Sequence, residues 1–192
     1  TFIACWLAID IVGATAIGID VNESGLIDLG KLKKLNVKID AVMPVHLHGA
    51  MVDMQELMTW ASGKQIKVIE DAAHAFGSRY LSGEMVGSCQ FSDMTVFSFH
   101  PVKSITTGEG GMVTTNDYSL YKKLMRLRSH GINKLDDEFQ NPILSKTAGV
   151  TNPWYYEMID LGFNFRLTEI QAVLGISQLK RLEAFLSKRA KL

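Results

Sequence analysis

Cysteine is nearly absent: Cys5 and Cys89 are the only two in 192 residues. Two thiols cannot build a disulfide framework, and they fall short of a structural zinc site. This usage fits a reducing cytoplasm, the expected location. Net charge is absent too, with 20 Lys plus Arg against 20 Asp plus Glu. A neutral chain carries no electrostatic footprint for nucleic acid, and nothing marks it as a membrane-surface binder. Long hydrophobic runs are missing. The apolar opening, TFIACWLAIDIVGATAIGID, is broken by Asp10 and Gly13 before a run of about 18–20 apolar residues is reached. It has no basic leading region and no small-residue cleavage site, so it does not read as a signal peptide. Repeats, low-complexity tracts and linkers are lacking as well. The chain starts on Thr1 without an initiator Met, and its far end, QLKRLEAFLSKRAKL, looks like a helix cut partway. It is therefore expected to begin inside a domain.

What is present resembles an ordinary soluble globular protein: 47% apolar and 21% charged residues. The length suits one large domain, or one domain with a smaller one. Short β-like runs alternate with helical patterns. Helices are predicted over 3–11, around 29–35, from an Asp53 cap to about Gly63, and from Asp117 to about Ser129. Thr168 and Glu169 start a final helix with Ile170, Val173, Leu174 and Leu179 on its apolar side. Strands are predicted over 14–21, 41–49, 66–75, 93–100 and 110–116. Residues 131–159 read as a long irregular loop. This alternation argues for an α/β fold with a largely parallel sheet. In such sheets ligands sit outside the carboxyl ends of the strands.

Two strand ends carry candidate chemistry. The third predicted strand ends in Glu70-Asp71-Ala72-Ala73-His74. An acid after an apolar strand is costly without a partner. Asp71 could hold a protonated ring nitrogen, with His74 facing the same site. The bland alternative is a helix-capping Asp and a partly buried His, and the segment alone favours it. The fourth strand leads into Ser98 and Lys103, then a turn with Gly108, Gly110 and Gly111. A lone Lys is usually a solvated surface residue. This one sits in a stretch poor in other charges, where an amine can lose its proton and attack an aldehyde. The glycines let backbone approach a ligand closely, although glycines in a β-turn would look the same. Together the two segments supply what pyridoxal phosphate needs. A lysine takes the aldehyde, an Asp partners the pyridine nitrogen, and small hydroxyls hold the phosphate.

Four segments carry a resemblance: EDAAHAFGS (70–78), FSFHPVKSITTGEGGMVTTND (97–117), RSHGI (128–132) and GFNFRLTEIQAVLGISQLKRLE (162–183). In order and spacing they resemble the DegT/DnrJ/EryC1/StrS sugar aminotransferases, which have the type I fold of pyridoxal-phosphate enzymes. With weaker flanking similarity the likeness spans nearly the whole chain. The subgroup it most resembles aminates C4 of a UDP-4-keto-6-deoxy-N-acetylhexosamine in pseudaminic acid biosynthesis. Enzymes of the lipid A arabinose and perosamine pathways share much of the pattern. The resemblance implies that Lys103 is the Schiff-base lysine and proton shuttle, and that Asp71 partners the pyridine nitrogen. It implies that His74 bonds the cofactor's ring oxygen, Ser98 binds the phosphate and Phe2 stacks on the ring. Plain core packing is the generic alternative for Phe2. Asn164 would reach the phosphate of a neighbouring subunit in a homodimer with a shared active site. Arg166 and His130 match weaker positions.

The implied reaction is ping-pong, with glutamate as donor and a UDP-linked ketosugar as acceptor. The rivals are another nucleotide ketosugar, such as a 3-keto type, and a non-catalytic module of the same fold. Lys103 argues against the family's dehydratase branch, where His stands at that position. Two segments depart from the family pattern. Cys5-Trp6-Leu7 replaces an Ala/Asn-rich stretch, and the 48–53 loop lacks the commoner Pro before Ala-Asp. Residues 1–192 are expected to be part of the large, cofactor-binding domain, without the family's N-terminal segment and C-terminal small domain.

Overall fold

The computed structural model describes residues 2–134 and 139–191. The chain divides into two compact units. One holds the chain up to Asn116 and from Glu169 onward; the other is Asp117–Thr168.

The first unit begins with helix α1 (Ile3–Ile11), ended by Gly13 at φ +72°. No residue of α1 is buried, despite its apolar sequence. The strand expected over 14–21 does not form. The segment makes a single antiparallel bridge, Val21 to Ile27. Its β-branched residues suit a strand, but a strand needs a neighbour's ladder, and 14–20 has none. Helix α2 (Leu29–Lys33) follows, capped by Asp28. Strand β1 (Ala41–Val42) stops early because Pro44 has no N–H to give the ladder. Pairing resumes at Val45 opposite Asp71, and a 3₁₀ turn, Leu47–Gly49, follows. Helix α3 (Met54–Ser62) is capped by Asp53, which accepts from Glu56 N–H. It buries Met54, Leu57 and Ala61 at helical spacing.

Strands β2 (Lys67–Asp71), β3 (Met94–Ser98) and β4 (Gly111–Thr114) complete a sheet of order β1-β2-β3-β4. The first three are parallel and β4 runs antiparallel to β3. The expected α/β architecture is present, with a mixed edge. Val68, Glu70, Thr95 and Phe97 alternate inward and are buried. The core around them includes Leu57, Ala61, Val42 and Phe99. Both β2 and β3 end sooner than the sequence suggested. Asp71 accepts from Ala73 N–H and starts a turn, and Ser98 Oγ accepts from His100 N–H ahead of Pro101. The expected last helix is two, α6 (Glu169–Leu179) and α7 (Leu182–Arg189), broken at Arg181 with φ −111° and ψ 7°.

The second unit starts with α4 (Tyr118–Leu127), capped by Asp117. The predicted loop holds short paired segments: β5 (Ile132–Asn133) with β8 (Glu157–Met158), and the hairpin β6 (Lys146–Thr147) with β7 (Val150–Thr151). A one-turn helix, α5 (Pro142–Ser145), precedes that hairpin. Residues 135–138 of the expected loop lie outside the described residues. The RSHGI and GFNFR segments run side by side: His130 N–H donates to Phe163 O, and Phe165 N–H to Arg128 O. Arg126 Nε bonds Asp160 Oδ2 at 2.9 Å. Gly131 sits at φ +68°, and a Cβ there would lie 1.7 Å from the Asp160 carbonyl oxygen. Gly131→Ala is therefore expected to destabilise this unit by more than about 1 kcal/mol. The check is a denaturation midpoint against wild type; an unchanged midpoint would refute the close approach.

Candidate functional site

The site is built by strand alternation. Glu70 and Asp71 are neighbours in β2, so their side chains leave opposite faces of the sheet. Asp71 aligns with Val96 in the parallel register, and Ser98 lies two residues further on. Asp71 and Ser98 therefore share one face at the carboxyl end of the parallel strands, where the fold rule places a ligand.

Asp71 is held from both sides. Its Oδ1 accepts from Ala73 N–H at 3.0 Å, and its Oδ2 from the Cys5 thiol at 3.0 Å. The Cys5 contact lays the first turn of α1 beside Asp71. Phe2 is the exposed N-cap of that helix, one turn before Cys5. Beyond Asp71 the turn presents His74, whose Nδ1 accepts from His48 N–H at 3.3 Å. The His48 and His74 rings stack, 5.7 Å between centroids and 13° between planes. Partial burial of the His74 ring holds its pKa below the ordinary 6.5, and the nearby Lys103 and His48 push the same way against Asp71. Asp71 and Lys103 thus both act on the charge of His74, with opposite sign.

Lys103 is half-buried, and its segment is held through backbone. Its N–H donates to His100 O at 3.0 Å. Its carbonyl accepts from Arg189 of α7 at 2.8 Å, and the same guanidinium nitrogen donates to Val102 O at 3.1 Å. The Gly-rich turn is closed by Phe99 N–H to Gly110 O and Thr107 N–H to Phe99 O. Gln171 of α6 donates to Glu109 O at 2.8 Å. Gly111 opposes Ser98, and a Cβ there would lie 2.8 Å from the Phe97 carbonyl oxygen, so this glycine is needed for close pairing.

The first unit therefore puts Asp71 and Ser98 on one sheet face, His74 and Lys103 in the turns that follow β2 and β3, and Phe2 on the helix that touches Asp71. Asn164, His130 and Arg166 belong to the second unit. There Asn164 is exposed and bridges to Ser129, and Arg166 donates to Ser129 Oγ at 3.0 Å. Sequence reasoning missed two residues of the site. Cys5 was visible only as a departure from the family pattern, and His48 only as part of a loop that departs from it too. Neither reveals its contact locally, because Cys5 lies 66 positions from Asp71 and His48 lies 26 from His74.

On the opposite face, Glu70 is fully buried and accepts four side-chain donors. They are His46 Nε2 at 2.8 Å, Tyr80 OH at 2.6 Å, Thr95 Oγ1 at 2.9 Å, and the Ser92 hydroxyl. Burial raises its pKa, but the hydrogen bonds, His46 first, outweigh burial and hold it below the ordinary value. Among the described residues no cluster of His, Cys, Asp or Glu could hold a metal ion. None of their helices is long and apolar enough to cross a membrane.

A carboxylate, a hydroxyl and an amine at the ends of parallel strands, beside a Gly-rich turn, fit a ring carrying a basic nitrogen, a phosphate and an aldehyde. The comparisons with known proteins agree. The chain is 42% identical to the UDP-4-amino-4,6-dideoxy-N-acetyl-beta-L-altrosamine transaminase of Campylobacter jejuni subsp. jejuni, over 98% of this chain and 46% of the relative. It is 37% identical to the GDP-perosamine synthase of Escherichia coli O157:H7, over 98% of this chain and 47% of the relative. The PLP-form structure of Spr1654 from Streptococcus pneumoniae superposes with a TM-score of 0.80 at 28% identity, covering 100% of this chain and 49% of that one. The chain thus spans about half the length of the curated relatives it matches. A family profile matches residues 1–192 from end to end, and the chain belongs to the DegT/DnrJ/EryC1/StrS aminotransferase family.

Proposed function

We propose that the chain forms part of the large domain of a pyridoxal-phosphate-dependent aminotransferase. Its reaction moves an amino group from glutamate to C4 of a UDP-4-keto-6-deoxy-N-acetylhexosamine. The observation that carries the reading is the placement of Asp71 and Ser98 on one face at the carboxyl ends of β2 and β3, with the Asp71 carboxylate fixed by Ala73 N–H and the Cys5 thiol and Lys103 in the turn that follows Ser98. Similarity to the altrosamine transaminase favours the UDP-linked acceptor. Similarity to the perosamine synthase supports a second reading, a GDP-linked 4-ketosugar.

When bound, pyridoxal phosphate supplies an electron sink that makes the C–H bond beside the transferred nitrogen acidic. The chain supplies the rest. The Lys103 side-chain amine would hold the aldehyde, and the same nitrogen would take up and return the proton on the substrate carbon. Asp71 keeps the proton on the ring nitrogen. Its carboxylate is fixed for this by Ala73 N–H and the Cys5 thiol. Ser98 Oγ accepts from His100 N–H, which leaves its own proton to donate to the phosphate. His74 would hydrogen-bond the ring oxygen, and Phe2 would stack on the ring from α1. The exposed Asn164 serves the phosphate of a second copy in a homodimer.

The test is borohydride reduction of the full-length protein with pyridoxal phosphate, followed by digestion and mass spectrometry. The expected result is a phosphopyridoxyl group on the peptide containing Lys103. Its absence from a folded protein would sink the reading. A panel of UDP- and GDP-linked 4-ketosugars then separates the two acceptors.

A further inference from the structure

The buried Glu70 cluster is unused by the chemistry above, yet it connects to the site through one loop. His46 is fully buried, and its two ring nitrogens face different partners. Nε2 lies 2.8 Å from Glu70 Oε2, and Nδ1 accepts from Val52 N–H at 3.3 Å. A nitrogen that accepts carries no proton, so Nε2 is the donor to Glu70. His46 N–H also donates to Asp71 O at 3.0 Å, which pins the start of the loop to β2. The loop is therefore fastened at 46 and at 52. Between these points His48 is held at φ +55°, a conformation uncommon outside glycine. In that conformation its N–H reaches His74 Nδ1 and its ring stacks on His74. Ser78 Oγ ties the same loop at Gly49 O, at 3.3 Å.

We infer that Glu70 is a positioning residue: through His46 and the 46–52 loop it fixes the tautomer and ring plane of His74. Accepting at Nδ1 leaves His74 with its proton on Nε2. That nitrogen is then a committed donor toward the ring oxygen, a consequence that rests on the cofactor reading above. The tautomer itself does not depend on that reading.

A carboxylate at position 70 is needed for this relay. Glu70→Met fills the space but removes the acceptor that His46 Nε2–H uses. The buried ring then loses what holds it in place and can turn away from Val52. A turned ring no longer presents Nδ1 to Val52 N–H, and the loop loses its fastening.

The experiment is nitrogen NMR on the cofactor-free protein with ¹⁵N-labelled histidine and backbone. The wild type is expected to show His74 Nδ1 unprotonated and Nε2 protonated. Couplings through the hydrogen bonds should link His48 N to His74 Nδ1 and Val52 N to His46 Nδ1. In Glu70→Met both couplings should vanish, and both His74 nitrogens should move toward the averaged value of exchanging tautomers. His46→Gln keeps a donor to Glu70 but has no Nδ1, and should change His74 the same way. Tyr80→Phe removes a donor from Glu70 but keeps the ring that meets His46 edge-on, and should leave His74 unchanged. Three results would overturn the proposal: a wild type lacking either coupling, folded Glu70→Met and His46→Gln proteins with unchanged His74, or a Tyr80→Phe effect equal to that of Glu70→Met. The wild-type couplings decide if those two variants fail to fold. Because no cofactor is present, failure here is distinct from a missing Lys103 adduct.

Discussion

Lys103→Ala is expected to abolish the borohydride adduct and to lower kcat by at least about 10³-fold, because one side chain serves as both nucleophile and proton carrier. The fold should survive the change. The segment is held by Lys103 N–H to His100 O and by Arg189 to the Val102 and Lys103 carbonyls, none of which uses the side chain. Pyridoxal phosphate should still associate, through Asp71 and Ser98, but without a covalent link. Lys103→Arg should fail equally, since a guanidinium keeps the charge and is not a nucleophile at neutral pH. Single-turnover kinetics with the amino donor is the measurement. A Lys103→Ala protein that retained more than about a tenth of the wild-type rate would place the chemistry elsewhere.

Glu70→Ala is expected to cost about 3–5 kcal/mol of stability, read as a fall in denaturation midpoint at constant slope. The cost arises because His46, Tyr80, Ser92 and Thr95 would all lose their acceptor inside the core. Isosteric loss at the edge of the cluster, as in Tyr80→Phe, should cost far less. The pH dependence follows from the direction of the Glu70 shift. Its folded pKa lies below its ordinary value of 4.5, so the unfolded chain takes up a proton more readily. The stabilisation is full above pH 4.5 and is lost as pH falls through the lower, folded value. Glu70→Ala should accordingly flatten this part of the acid limb of the stability profile. A wild-type acid limb that persists unchanged in Glu70→Ala would refute the assignment.

Local signals were legible in the sequence and distant ones were not. The caps at Asp53 and Asp117 act within three residues, and both helices begin where those residues announce them. The 3–11 helix and the cores of strands β2, β3 and β4 were legible for the same reason: their patterns are contained in the segment. Residues 14–21 read as a strand because their composition suits one, but strand formation is decided by a partner elsewhere. Pro44 was visible, and its interruption of β1 was overlooked within an apolar run. The candidate site was legible as Asp71, His74, Ser98 and Lys103 because the strand-end rule and the family motifs pointed to the same residues. The role of Glu70 was hidden. Its four donors lie 10 to 25 positions away, and a buried carboxylate is satisfied only by geometry.

Adjacent acids in β2 serve opposite faces, one clamping the core and one addressing the ligand. Inserting or deleting one residue earlier in that strand would exchange them, turning a bare carboxylate into the wrong environment on each side. Natural variation should therefore reach this protein's chemistry by substitution in the loops beyond Asp71 and Ser98, while the length of the strand itself stays closed to change.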